Sequence, residues 1–198
     1  MSATSSHAST RSSARDRLLA AADELFYAEG VHTVGIDRVI ERAGVAKASL
    51  YSAFGSKEEL VRAYLQGRHQ RRRDRITAGL ARWDTPRDKL IGLFTVVGET
   101  ISAPGYRGCA FYNANAESTE PGAATSMAEL SRAWTRGLLL DLATQAGASN
   151  PDQLAAQLIL LYDGCSVGGR MDPTADPAAA ARTAATVLVD AAIATPRG

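Results

Sequence analysis

Lys47, Ala48, Ser49, Tyr51 and Ser52 stand together in the run KASLYS, and their chemistry suits contact with a nucleic acid. A lysine ammonium can approach a phosphate or a guanine edge, an alanine methyl can touch a thymine methyl, and a serine hydroxyl can bond a base or a phosphate. Lys47, Ser49, Tyr51 and Ser52 fall largely on the helix face opposite Leu50 and Phe54, the pair that points inward. Arg38 before the run is a further candidate DNA-contacting residue. Catalytic chemistry is not on offer. The three histidines are His7, His32 and His69, and none has metal-ligand spacing. There is no GxSxG and no phosphate-binding glycine loop, and the Glu58/Glu59 pair simply flanks a helix start. No catalytic residue, metal site or cofactor is expected.

The elements that position these residues are short helices. Ile36, Val39, Ile40 and Ala43 follow the i, i+3, i+4, i+7 spacing of a helix burying one face. Gly44 supplies the tolerance of positive φ that a tight helix-to-helix turn requires, and Val45 plugs the corner. Two short helices crossing over a shared core in this way form a helix-turn-helix. Before it, Ser13 and Asp16 have capping-box spacing, Leu18, Leu19, Ala22, Leu25 and Phe26 form an apolar stripe, and Gly30 ends the helix. After it, Ser56 and Glu59 cap a fourth helix running from Lys57 to about Leu80. Its Arg68, Arg71, Arg72, Arg73 and Arg75 read as a solvated, partly ion-paired face.

The remainder reads as helix with clear starts. Thr85-Pro86-Arg87-Asp88, Asn150-Pro151-Asp152-Gln153 and Asp176-Pro177 place a cap before a proline at the first helical position. They predict helices near 86–102, 151–168 and 177–194, with a short segment near 110–118 and a longer helix near 122–146 between them. The longer one carries Met127, Leu130, Trp134, Leu138 and Leu142 as one stripe. An all-α chain of about nine helices results. The expected divisions are a disordered tail over 1–13, a helix-turn-helix domain over 14–57 and a larger helical domain over 58–198.

Charge is distributed rather than net: residues 1–75 carry 13 basic and 9 acidic side chains, residues 76–198 carry 9 and 12. A basic end suits a part that meets phosphates. Arg11 and Arg15 would give the tail a reach toward a minor groove, although a merely solvating tail is the commoner case. Cys109 and Cys165 form no CxxC and read as small buried apolar residues. No apolar run approaches the roughly 18 residues that span a bilayer, and the amino terminus lacks the apolar core of a secretion signal. A cytoplasmic protein with no membrane partner is expected.

The run AGVAKASLYSAFGSKEELV resembles the DNA-binding signature of the TetR family of bacterial transcriptional regulators, and so does the preceding helix RLLAAADELFYAEG. The likeness covers the first third of the chain and departs from the family at Gly35, where Ser or Thr is commoner as the helix cap. Glycine there costs only a few tenths of a kcal/mol relative to a hydroxyl cap. The segment GCAFYN from Gly108 to Asn113 resembles one found in a TetR subgroup. The resemblance implies that Tyr51 and Lys57 hold phosphates and that the later helices form a ligand-binding and dimerisation body. For the pocket it points to Phe94, Phe111, Tyr112, Asn113, Met127, Trp134 and Tyr162, with Trp83, Tyr106, Asn115 and Glu117 as further candidates. For the dimer interface it points to Leu154, Leu158, Leu161, Gly164 and Gly168 on one helix and Ala184 and Leu188 on the next. The expected function is a ligand-responsive transcriptional regulator, a repressor, that binds a near-palindromic double-stranded operator as a homodimer and is released by an unknown small-molecule effector. The rival readings are an effector-independent DNA-binding protein and an all-helical small-molecule binder or enzyme.

Overall fold

Side-chain caps make the helix starts that the sequence announces. In the computed structural model, which describes residues 12–118, 120–172 and 174–194, the helices are α1 (Ala14–Glu29), α2 (Ile36–Ala43), α3 (Lys47–Phe54), α4 (Lys57–Leu80), α5 (Pro86–Ile101), α6 (Ala110–Glu117), α7 (Ala123–Gln145), α8 (Pro151–Met171) and α9 (Pro177–Ala194). Among the described residues there are nine helices and no strand. Ser13 Oγ accepts the Asp16 N–H at 3.1 Å while the Asp16 carboxylate accepts the Ser13 N–H at 3.2 Å, a complete capping box for α1. Thr85 Oγ1 and Asn150 Oδ1 accept the Asp88 and Gln153 N–H groups, each at 3.1 Å. Asp176 Oδ1 does the same for Ala179 at 2.9 Å. Most of the tail expected over 1–13, including Arg11, lies outside the described residues.

The chain divides into two compact units, Met1–Tyr64 and Leu65–Gly198. α4 begins in the first and ends in the second. The first unit is built on Leu18, Ala22, Phe26, Val34, Val39, Leu50, Leu60 and Tyr64, all buried. Phe26 and Tyr64 meet edge-on with ring centres 5.6 Å apart. Gly44 has φ of 62°, and its N–H returns to the carbonyls of Glu41 and Ile40, closing α2 before the chain turns into α3. Arg17 Nε donates to the Ala43 carbonyl at 3.2 Å, so α1 satisfies an acceptor at the end of α2.

The second unit centres on α5, which packs against α7, α8 and α9. Leu90, Leu93, Phe94, Leu139, Leu154, Leu158, Ala185 and Val189 form its core. Gly169 lets α8 approach α5 closely, since a Cβ there would lie 2.2 Å from Ile101 Cγ2. The α7 stripe is rotated from the expected one. Met127, Ser131, Thr135, Leu139 and Leu142 are buried, and Leu130 is exposed. A cation on α4, Arg72, comes in to meet the Thr135 hydroxyl and the Ser131 carbonyl.

α9 is long and apolar enough to cross a bilayer by length and composition alone. Its 18 residues have a mean hydropathy of 1.2. The helix nevertheless carries Arg182 and Asp190 and packs on α5 and α8.

Candidate DNA-reading helix and internal cavity

α3 presents Lys47, Ala48, Tyr51 and Ser52 on its exposed side, with Leu50 buried beneath them. Ser49 is half-buried, and Lys57 is half-buried in the first turn of α4. No side chain caps α3, whose N-cap is Ala46. The Ser49 N–H returns to the Ala46 carbonyl at 2.9 Å, which leaves the N–H groups of Lys47 and Ala48 toward an anion. Lys47 Nζ donates to Asp37 Oδ1 at 3.0 Å, both groups being largely exposed. That hydrogen bond, followed by the attraction of the carboxylate, raises the pKa of Lys47, so it stays an ammonium. Arg38 is occupied differently. Both its terminal nitrogens donate to Glu29, at 2.6 and 2.9 Å, and Arg42 grips Glu24 in the same bidentate way. These pairs tie α2 to α1 and neutralise two arginines beside the exposed face. Arg15 lies 5.0 Å over the Phe54 ring.

The second unit contains a cavity of about 630 Å³ between α4, α6, α7 and α8. Its volume lies within the range of small-molecule sites, roughly 300–1,000 Å³. Of the residues expected to line a pocket, Phe111, Tyr112, Asn113 and Tyr162 reach the wall, and Asn115 joins them. Phe94 is fully buried in the core, and Met127 and Trp134 lie outside the lining. Trp83 covers Gly92, whose Cβ, if present, would sit 2.5 Å from the indole. Tyr106 donates its hydroxyl to the Ser166 carbonyl at 3.0 Å.

Arg72 is the residue that sequence reading misplaced. Instead of lying on a solvated face, it turns inward and lines the cavity. Its Nη2 donates to the Ser131 carbonyl at 2.9 Å and to Thr135 Oγ1 at 2.7 Å. The neighbouring His69 is only 6% exposed, edge-on to the rings of Phe111 and Trp134, and its Nδ1 is buried without a partner. Burial, then the charges of Arg72 and Arg73, lowers its pKa, so the imidazole is neutral at pH 7. The signal available in the sequence was the pair Ser131 and Thr135, two hydroxyls at helical spacing among apolar neighbours. Cys109 is also at the wall, half-buried, whereas Cys165 is buried as expected.

The helix faces of α8 and α9 differ from the expected assignment. Leu154 and Leu158 are taken up by the chain's own core, and Leu161 and Leu188 pack against it. A Cβ on Gly168 would meet Pro177 of the same chain at 3.1 Å, whereas the Gly164 position is open. Ala184 is half-buried. The large apolar residues left in solvent are Leu160, Val167 and Met171 along α8, 68%, 44% and 79% exposed, the last two also at the rim of the cavity, and Val187 on α9. With Gly164 they form a continuous stripe at the i, i+4, i+7, i+11 spacing. α8 is apolar nearly all round, so composition alone does not say which of its stripes the chain itself covers.

The sequence profile of bacterial regulatory proteins of the tetR family matches residues 18–64, the stretch from α1 to the first turns of α4. A TetR-family transcriptional regulator from Streptomyces coelicolor is 31% identical and superimposes with a TM-score of 0.85, over 91% of this chain and 96% of that one. A TetR-type transcriptional regulator from Streptomyces avermitilis is 32% identical, with a TM-score of 0.77, over 91% of this chain and 98% of that one. The HTH-type transcriptional activator FasR of Mycolicibacterium smegmatis is 48% identical over 56 residues, which are 28% of this chain and 26% of that protein. The chain thus spans about a quarter of that relative's length.

Proposed function

The chain belongs to the TetR family and is a transcriptional regulator, not an enzyme, and from that premise we propose that it acts as an effector-released repressor, two copies of which bind one near-palindromic operator. Residues 14–57 serve as the reading head and residues 58–198 as the body. The observation that carries this reading is the exposed side of α3, where Lys47, Ala48, Tyr51 and Ser52 stand clear of the core above an uncapped helix start. Lys47 and Tyr51 hold phosphates, with Lys57 beside them, and these contacts fix register. Few side chains on this face are capable of bidentate base recognition, so phosphate contacts and DNA shape supply much of the affinity.

A second copy covers the α8 stripe of Leu160, Gly164, Val167 and Met171 together with Val187 of α9. Two heads then enter successive major grooves roughly 34–36 Å apart. The cavity favours an effector-responsive protein over a purely architectural one. A small molecule bound there shifts the population toward a state whose heads no longer fit the operator, by as much as its affinities for the two states differ. α4 bears both Tyr64, in the core of the first unit, and Arg72 at the cavity. It is therefore the element through which binding is communicated. FasR carries the name of an activator, and that name belongs to a protein matched over 56 residues alone.

The test is reporter expression from the gene's own upstream fragment, with and without the protein. Repression relieved by a cell metabolite supports the reading. Stimulation of the reporter refutes the repressor assignment, and no effect in either direction refutes the operator.

A further inference from the structure

Three aromatic rings in the second unit surround a positive charge that belongs to the protein itself. The Arg72 guanidinium carbon lies 5.2 Å from the centre of the Phe111 ring, 5.7 Å from Trp134 and 5.9 Å from Tyr162. A cluster of rings at such distances attracts cations, and here the place is already filled.

The charge that fills it has no counter-charge. Nη2 of Arg72 bonds only to neutral acceptors, the Ser131 carbonyl and Thr135 Oγ1. Nε is buried without a partner, and Nη1 has no acceptor among the described residues. A guanidinium has five N–H donors and keeps its charge at any physiological pH. Half-buried, with its Nε fully so, such a group is stabilised by an anion in bidentate geometry. Among the described residues no carboxylate pairs with it. Of the two carboxylates at the cavity wall, Asp163 is held by Arg132 at 2.6 Å and Glu129 is exposed. Arg170, also at the wall, donates through Nη1 to the Arg107 carbonyl at 3.0 Å and to Asn113 Oδ1 at 3.1 Å, again neutral acceptors. Apolar surface from Phe111, Ile159, Val167 and Met171 faces the same space.

We propose that the ligand of this cavity is an organic anion, a carboxylate or comparable acid on an apolar or aromatic body, whose charged group pairs with Arg72. This rests on the cavity being the effector site. The neutral His69 behind Arg72 adds no competing charge. Arg72 excludes a cationic ligand by repulsion and by occupying the ring cluster itself, and a neutral ligand leaves the guanidinium uncompensated.

Three probes with a common body separate the possibilities: 2-naphthoate, 2-naphthamide and a 2-naphthyl trimethylammonium salt. In calorimetric titration of the full chain at fixed ionic strength, naphthoate is expected to bind roughly 10- to 100-fold more tightly than the amide. The ammonium is expected not to bind. Arg72→Gln should lower naphthoate to the affinity of the amide, and Arg72→Lys should keep part of the difference. Should Arg72→Gln fail to fold, as judged by its helical circular dichroism, the wild-type charge series and Arg72→Lys decide. Equal affinity for naphthoate and the amide, or a preference for the ammonium, overturns the anion while leaving the cavity as effector site. Ala128→Trp, which fills the cavity with Arg72 retained, should abolish binding of every probe. Binding that persists in this variant, or the failure of all three probes on the wild-type protein, overturns both the anion and the effector site.

Discussion

Lys47 Nζ donates to Asp37 Oδ1 across 3.0 Å, so the cation at the start of α3 is already partnered before any DNA arrives. A phosphate must compete with that carboxylate. Lys47→Ala should weaken binding to all sequences alike and reduce the slope of log affinity against log salt by about 1. Asp37→Asn should act in the opposite direction, tightening non-specific binding by roughly threefold to tenfold through loss of a competitor and of a repelling charge. Salt-dependent fluorescence anisotropy on an unrelated duplex measures both.

The turn between the two short helices is expected to be sensitive to one methyl group. Gly44 has φ of 62°, and no atom lies within 4 Å of where its Cβ would stand. The cost of Gly44→Ala is therefore conformational rather than steric, about 1–2 kcal/mol. Urea denaturation should show this as a lower midpoint with an unchanged slope.

Two leucines two positions apart on α8 should behave oppositely. Leu158 is 0% exposed and Leu160 is 68% exposed. Leu158→Ala is expected to destabilise each subunit by about 2–5 kcal/mol. Leu160→Asp should leave the subunit folded and separate the proposed dimer, which sedimentation velocity reports. A Leu160→Asp protein that sediments as the wild type does would remove the α8 stripe from the interface.

Two buried groups set the edges of the pH range. His69 has a lowered pKa because burial, then Arg72 and Arg73, penalise its charged form. Below the ordinary histidine range the unfolded chain takes up a proton that the folded chain refuses. Stability should therefore fall as pH drops from about 6.5, and His69→Leu should flatten that limb. Cys165 is pushed from 9.0 up to about 11 by burial, with Asp176 adding to the effect. The folded state holds this proton longer, so stability should fall as pH rises from about 9 to about 11. The same burial should make Cys165 inert to a thiol reagent at pH 8 while the half-buried Cys109 reacts.

The parts of this fold that local chemistry decides were readable from residues alone. Caps at Ser13, Thr85, Asn150 and Asp176 act within four residues, and each opens a helix where expected. Gly44 turns because it is a glycine after an amphipathic run. Choices between faces were not readable, since they depend on what lies opposite. Arg72 sits in an arginine-rich run that looks solvated, and only Thr135, 63 residues away, and the Ser131 carbonyl make its inward turn possible. Tyr162 and Phe111 reach the cavity while Phe94 and Trp134 do not, although all four are aromatic residues on helices. Leu158 and Leu160 are indistinguishable by residue type, and the core decides between them.

Hydroxyl-radical footprinting of the purified protein on the fragment upstream of its own gene tests most directly whether two copies read one operator. Two protected patches are expected, symmetric about a centre and roughly one helical turn apart, and both lost with Lys47→Ala at raised salt. A single patch, or uniform reactivity across the fragment at low salt, would contradict it.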